Sequence, residues 1–295
     1  MAISAALNAI IDALRSRQAP PDITFEQRRA GMEAMQAELR IPDDVVCEPA
    51  DANGVAVEFV RTPGVHEDRV LFYLHGGGYA IGSLDTHRYL LQKLSRSTGA
   101  TVLGVDYRLA PESPFPAALD DSMNAWRWLL DRGVDPQRCA IGGDSAGGGL
   151  TLATLLRIRD EGGSLPATAV CLSPWTDLES AIEATETKNG DPMVSDSALR
   201  QMADAYIGDG DASNPLISPI LAHLAGLPPL LIQVGTNEHL LEDSTGFAER
   251  ATAAGVDVTL EEWEDMIHVF QFFPSLKESG QAIDRIGEFI RQHTI

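Results

Sequence analysis

From residue 55 onward, short apolar, strand-like runs recur along the chain, with helix-length stretches between or after them. The runs cover residues 55–61, 70–74, 101–105, 139–141, 169–172, 230–234 and 258–260. Several lack polar alternation: Val70-Leu71-Phe72-Tyr73-Leu74 and Leu230-Leu231-Ile232 are apolar at every position. A strand with one wet face alternates, so a strand that does not is covered on both faces, as in a parallel sheet between helices. Helical patterns fall at 86–97, 116–131, 146–159, 241–254 and 275–292. This order predicts a doubly wound, mostly parallel α/β sheet.

Two parts of the chain depart from that plan. Residues 1–45 carry two amphipathic helical patterns: Ile3, Leu7, Ile10, Ile11 and Leu14 mark one, and Phe25, Met32, Met35 and Leu39 the other. Ala19-Pro20-Pro21-Asp22 breaks them. Between residues 178 and 219 lies a polar, turn-rich stretch with one helical pattern over 197–207, too long for a plain connection. We read residues 1–45 as N-terminal cap helices and 46–295 as the catalytic domain, with a cap insertion at about 180–215.

Bulk properties exclude several function classes. With 295 residues, 44% of them hydrophobic, the chain can bury a large core. Its formal net charge is −21 and its lysines are Lys93, Lys188 and Lys277, so phosphate backbones and anionic membrane surfaces are repelled. No nucleic-acid partner is expected. No apolar run approaches the ~18 residues of a membrane span, so no membrane insertion is expected. Residues 1–17 have no basic segment ahead of an apolar run, so no secretory signal is expected. Cys47, Cys139 and Cys171 are odd in number and widely spaced, which fits neither a disulfide frame nor a metal site and favours a cytoplasmic location. An edge strand near 258–260 offers a surface on which two copies could pair as a homodimer.

The chemistry centres on Gly143-Asp144-Ser145-Ala146-Gly147. Three fixed positions recur by chance in roughly one chain in ten of this length. The flanks carry more weight: a strand-like run precedes the pentapeptide and a helical one follows it. That context makes Ser145 a nucleophile raised on a sharp strand-to-helix turn. Upstream, His75-Gly76-Gly77-Gly78 follows the run 70–74. Its glycines let backbone N–H groups come close to a developing oxyanion. The expected donors are Gly77, Gly78 and Ala146.

Ser145 needs a base, and of the histidines His268 stands apart. It lies just after the last strand-like run and before the final helix, where the base of such a site falls in chain order. His66 and His87 read as residues in polar surroundings, and His223, His239 and His293 as surface or helix-end residues. A carboxylate must orient the imidazole. Glu238 is the first one beyond the run 230–234, with Asp243 as the alternative. Asp144 reads as a hydrogen-bonding partner of neighbouring loops. Arg108 and Glu112 read as a structural ion pair beside the site, and Phe270, Phe272 and Phe273 as packing residues.

Taken together, these motifs, Asp106-Tyr107-Arg108-Leu109-Ala110-Pro111-Glu112, Phe115-Pro116-Ala117-Ala118 and Met266-Ile267-His268-Val269-Phe270 resemble the bacterial hormone-sensitive-lipase-like esterases, also called family IV. The likeness spans about residues 70 to 270. It implies an α/β-hydrolase fold with a helical cap, and hydrolysis of short- to medium-chain acyl esters without a cofactor or metal. The chain departs from the family at the acid: much of the family resembles Asp-Pro-Leu there, and this chain has Glu238-His239-Leu240.

Overall fold

The computed structural model describes residues 4–16, 23–183 and 191–294. Ile3, the expected break at 19–22 and part of the 180–215 insertion lie outside them. The strands are β1 (Val46–Asp51), β2 (Ala56–Arg61), β3 (His66–Leu74), β4 (Ala100–Asp106), β5 (Cys139–Asp144), β6 (Thr168–Leu172), β7 (Leu230–Gly235) and β8 (Val258–Trp263). The helices are α1 (Ala5–Ser16), α2 (Phe25–Gln36), α3 (Leu84–Thr98), α4 (Ala117–Asp131), α5 (Ala146–Asp160), α6 (Leu178–Glu183), α7 (Asp196–Ile207), α8 (Leu241–Ala253) and α9 (Lys277–His293).

Among the described residues the strands form one eight-stranded sheet, ordered β1-β2-β4-β3-β5-β6-β7-β8. From β4 to β8 every pairing is parallel, and β1 and β2 join antiparallel at one end. This is the mostly parallel sheet expected from the alternating runs, in the α/β-hydrolase arrangement that the resemblance implies. β1 was not expected. It is an edge strand with Glu48, Pro49 and Asp51 and no buried residue, so it has neither an apolar run nor alternation to announce it.

The period of two along each strand divides the core between the two faces of the sheet. Val70, Phe72 and Leu74 of β3 pack with Leu119, Met123 and Trp126 of α4, Leu152 and Leu155 of α5, and Phe247 of α8. Leu71 and Tyr73 pack on the other face with Leu90, Leu91 and Leu94 of α3 and Ile283, Ile286 and Ile290 of α9. Full burial of each such side chain stabilises the fold by about 1.5–3 kcal/mol. Both faces are covered, as the unbroken apolar runs require.

The two N-terminal helices differ. Leu7 and Ile11 of α1 are buried against Met266, Ile267, Phe270, Leu276 and Ala282. In α2 no residue is buried, and Phe25, Met32 and Met35 are half-covered. Its hold is polar. Arg28 donates to Gln201 on α7 at 3.3 Å, and Arg29 bonds to Ala80, Ala110 and Glu112. The 178–219 stretch contains two helices, α6 and α7, where one was expected. Among the described residues no helix is long and apolar enough to cross a membrane.

Candidate active site

Ser145 stands between β5 and α5 with φ 53° and ψ −123°, a conformation that costs a non-glycine residue strain. The pentapeptide's glycines are there because of close contacts. A Cβ on Gly147 would run into the carbonyls of Leu74 and His75, and one on Gly143 into those of Gly147 and Leu74. The serine turn can therefore press against the end of β3, which brings Ser145 beside the glycine loop that follows it.

Ser145 Oγ lies 3.0 Å from His268 Nε2. On the far side of the ring, Nδ1 lies 3.6 Å from Glu238 Oε2, an ion-pair distance longer than a hydrogen bond. The tautomer that fits has the proton on Nδ1, towards the carboxylate, leaving Nε2 to accept from the serine hydroxyl. Both His268 and Glu238 are buried at the side chain. Burial works against the imidazolium, but Glu238 outweighs it, helped by Asp191 and Asp144, and the His268 pKa is raised above its ordinary value.

Asp243 is elsewhere. Its Oδ1 accepts the backbone N–H groups of Thr176 and Asp177, each at 2.8 Å, and so anchors the loop that leads into α6. Burial pushes its pKa up to about 7. Of the two carboxylates considered, Glu238 is the one that faces His268.

The glycine loop reaches the serine from the other side. Gly77 has φ 118° and Gly78 φ 59°, values a side chain would resist. Among the described residues, no acceptor is bound to the N–H groups of Gly77, Gly78 or Ala146. Asp144 holds the loop from beneath. Its Oδ1 accepts from the Tyr73 hydroxyl at 2.9 Å and from Gly76 N–H at 3.1 Å, and Oδ2 is 3.4 Å from His87 Nε2. Burial opposes its ionised form, but His87, Tyr73 and His75 outweigh that and hold its pKa below the ordinary value. His75 stacks on Tyr107 at 4.2 Å, and burial, then His87, lower its pKa to about 3, so its ring is neutral. Helix α7 meets this loop through Met202, whose side chain fills the place a Cβ on Gly78 would take.

Two sequence expectations need correction. Arg108 and Glu112 do not pair with each other. Arg108 binds Asp121 at 2.7 Å, and Glu112 binds Arg29 at 2.7 Å. A partner thirteen residues on in α4, or on the distant helix α2, leaves no mark in the local pattern. His87 does have polar partners, Thr86, Ser83 and Asp144, but it is fully buried and edge-on to Phe272, bracing the glycine loop rather than standing apart from the site. Sequence reasoning also passed over Ser173, whose hydroxyl donates to Glu238 Oε2 at 2.9 Å. The available signal was its place just past the carboxyl end of a parallel strand, where the functional residues of such sheets gather.

The arrangement can raise a serine alkoxide against a carbonyl, move its proton through an imidazole and hold an oxyanion on backbone donors. Known proteins similar to this chain are ester hydrolases. A family model described by its α/β-hydrolase fold matches residues 71–272. An acetyl-hydrolase of Streptomyces hygroscopicus is 45% identical over 255 residues, covering 86% of this chain and 84% of that protein. An esterase of Acinetobacter venetianus is 38% identical over 247 residues, covering 80% of this chain and 82% of that protein. Among solved structures, an esterase from the bacterial hormone-sensitive lipase family superposes with a TM-score of 0.94 at 47% identity, over 100% of both chains. EstE5, in a crystal soaked with p-nitrophenyl butyrate, gives a TM-score of 0.93 at 44% identity over 99% of each chain.

Proposed function

The chain belongs to the bacterial hormone-sensitive lipase family of α/β-hydrolase-fold esterases and is a carboxylic ester hydrolase; from there we propose that it cleaves short- to medium-chain acyl esters through a serine acyl-enzyme. The observation that carries this reading is the 3.0 Å approach of Ser145 Oγ to His268 Nε2 at a strained strand-to-helix turn.

In the first half-reaction Ser145 Oγ attacks the ester carbonyl carbon while His268 Nε2 takes its proton. The carbonyl oxygen becomes an oxyanion held by the N–H groups of Gly77, Gly78 and Ala146. Glu238 supports the imidazolium that forms. The tetrahedral intermediate collapses, and His268 returns the proton to the departing alcohol. In the second half-reaction water attacks the acyl carbon as His268 takes one of its protons; collapse breaks the bond to Ser145 Oγ, His268 returns the proton to Oγ, and the carboxylic acid leaves. The 3.6 Å gap between His268 and Glu238 closes as the ring becomes charged, since such contacts tighten along the reaction.

Residues 1–45 and the insertion at about 180–215 form the cap of this site. The contacts of α2 and α7 with the glycine loop support that role. The acetyl-hydrolase relative and the p-nitrophenyl butyrate soak of EstE5 support a preference for short acyl chains. The thiols of Cys47, Cys139 and Cys171 are free, which supports a reducing, cytoplasmic location. β8 leaves one sheet edge open, where a second copy would add to form a homodimer.

The test is a series of p-nitrophenyl esters of increasing acyl length, with Ser145→Ala as the control. Wild type favours the short esters, and the variant loses about 10⁶-fold in kcat. Full turnover by Ser145→Ala would remove the serine mechanism, and a maximum at long chains would remove the chain-length assignment.

A further inference from the structure

Ser173 is the first residue after β6, completely buried, with φ 46°. Its hydroxyl has two partners. It donates to Glu238 Oε2 at 2.9 Å and accepts the backbone N–H of Val269 at 3.2 Å. Oε2 is also the oxygen that faces His268 Nδ1, and Oε1 of the same carboxylate has no hydrogen-bond partner. Val269 directly follows His268. One hydroxyl therefore holds both the carboxylate behind the imidazole and the backbone that carries the imidazole.

The main chain around Ser173 extends the connection. Ser173 N–H donates to Gln233 O at 2.7 Å, and Trp175 N–H donates to Ser145 O at 3.0 Å. Within three residues this loop bonds to the segments that carry Ser145, Glu238 and His268. A buried carboxylate with a single hydrogen-bond donor is free to turn about its side-chain bonds once that donor is gone, and burial leaves it no water to replace the partner. The left-handed backbone at Ser173 is a conformation L side chains rarely adopt, and such strain persists where the surroundings enforce it.

We propose that Ser173 is a positioning residue for ester hydrolysis: its hydroxyl fixes the Glu238 carboxylate against His268 and couples it to the histidine's own loop, so that acid and base keep one geometry. The proposal rests on the Ser145–His268–Glu238 reading given above.

Two variants test it, Ser173→Ala and Ser173→Gly. Both remove the hydroxyl, but only glycine accepts the positive φ without strain. The measurements are kcat and KM for p-nitrophenyl butyrate from pH 5 to pH 9, with fluorophosphonate labelling of each protein. Both variants should lose about 10- to 100-fold in kcat, the cost of one hydrogen bond to a charged group, with KM within about twofold of wild type. The acid limb of kcat/KM should move to lower pH, because a carboxylate that swings away no longer supports the imidazolium. A glycine variant with wild-type kcat would overturn the proposal, since backbone strain and not the hydroxyl would then be the cause. So would a loss confined to KM or thermal stability with the acid limb unmoved. Failure of the underlying reading looks different: wild type would not label, or Ser145→Ala would stay active.

Discussion

Arg29 Nε donates to the carbonyl oxygen of Ala80 at 2.8 Å, fastening an N-terminal helix to the loop that carries Gly77 and Gly78. The same guanidinium reaches Ala110 O at 2.9 Å and forks onto the Glu112 carboxylate at 2.9 and 2.7 Å. Ala80 and Ala110 are both fully buried, so losing Arg29 strips buried carbonyls of a partner, at about 1–3 kcal/mol each. Arg29→Met keeps the apolar stem and removes the donors. It should lower kcat/KM about tenfold, and the melting temperature with it, at about 2–4 °C per kcal/mol. The Glu112 side chain is 62% exposed, so Glu112→Gln should change stability by less than about 1 kcal/mol. Paired activity and melting measurements check this, and equal behaviour of the two variants would count against the carbonyl contacts.

The raised His268 pKa sets the direction of the pH dependence. In the proposed mechanism the base is the neutral imidazole, so kcat/KM should fall as pH drops through the folded value, which lies above the ordinary ~6.5. Glu238→Gln should cost about 10⁴-fold in kcat, by analogy with an amide behind a catalytic histidine. It should also move the remaining acid limb to lower pH. In stability terms the sign is opposite to activity: the contribution is full below the unfolded pKa and is lost as pH rises through the folded one. A pH–rate profile of both proteins decides the matter, and a flat wild-type profile from pH 5 to pH 8 would contradict the assignment.

Asp243 provides the complementary experiment. Its pKa of about 7, against an ordinary 3.8, means the folded state holds a proton that the unfolded state releases. Stability should therefore fall as pH rises from about 4 to about 7 and level off above. Asp243→Asn keeps an oxygen for the Thr176 and Asp177 N–H groups and cannot ionise. Its melting temperature should vary less than that of wild type between pH 5 and pH 8, with kcat within a few-fold of wild type. A collapse of kcat like that of Glu238→Gln would identify Asp243 as part of the triad.

The sheet was legible because its strands are apolar at nearly every position, a pattern few other architectures require. That Ser145, Glu238 and His268 would come together was legible because strand ends and chain order bring such residues to one edge of the sheet. β1 was not, since an edge strand with Pro49 between the carboxylates Glu48 and Asp51 has no buried face to encode. Ser173 and His87 escaped for a different reason. Their meaning lies in partners 65 and 57 residues away, and spacing within a segment carries no information about such contacts. The same holds for the true partners of Arg108 and Glu112.

The packing of α1 also has a consequence for the order in which the molecule is made. Leu7 and Ile11 are buried by Met266, Ile267, Phe270, Leu276 and Ala282, all of which leave the ribosome long after α1 does. Until they emerge, the apolar stripe of α1 has no native surface to cover it. Contacts so distant in sequence form late and slowly. The first helix to be made is thus among the last to be covered, and the loop bearing His268 gains that support only when the two ends of the chain meet.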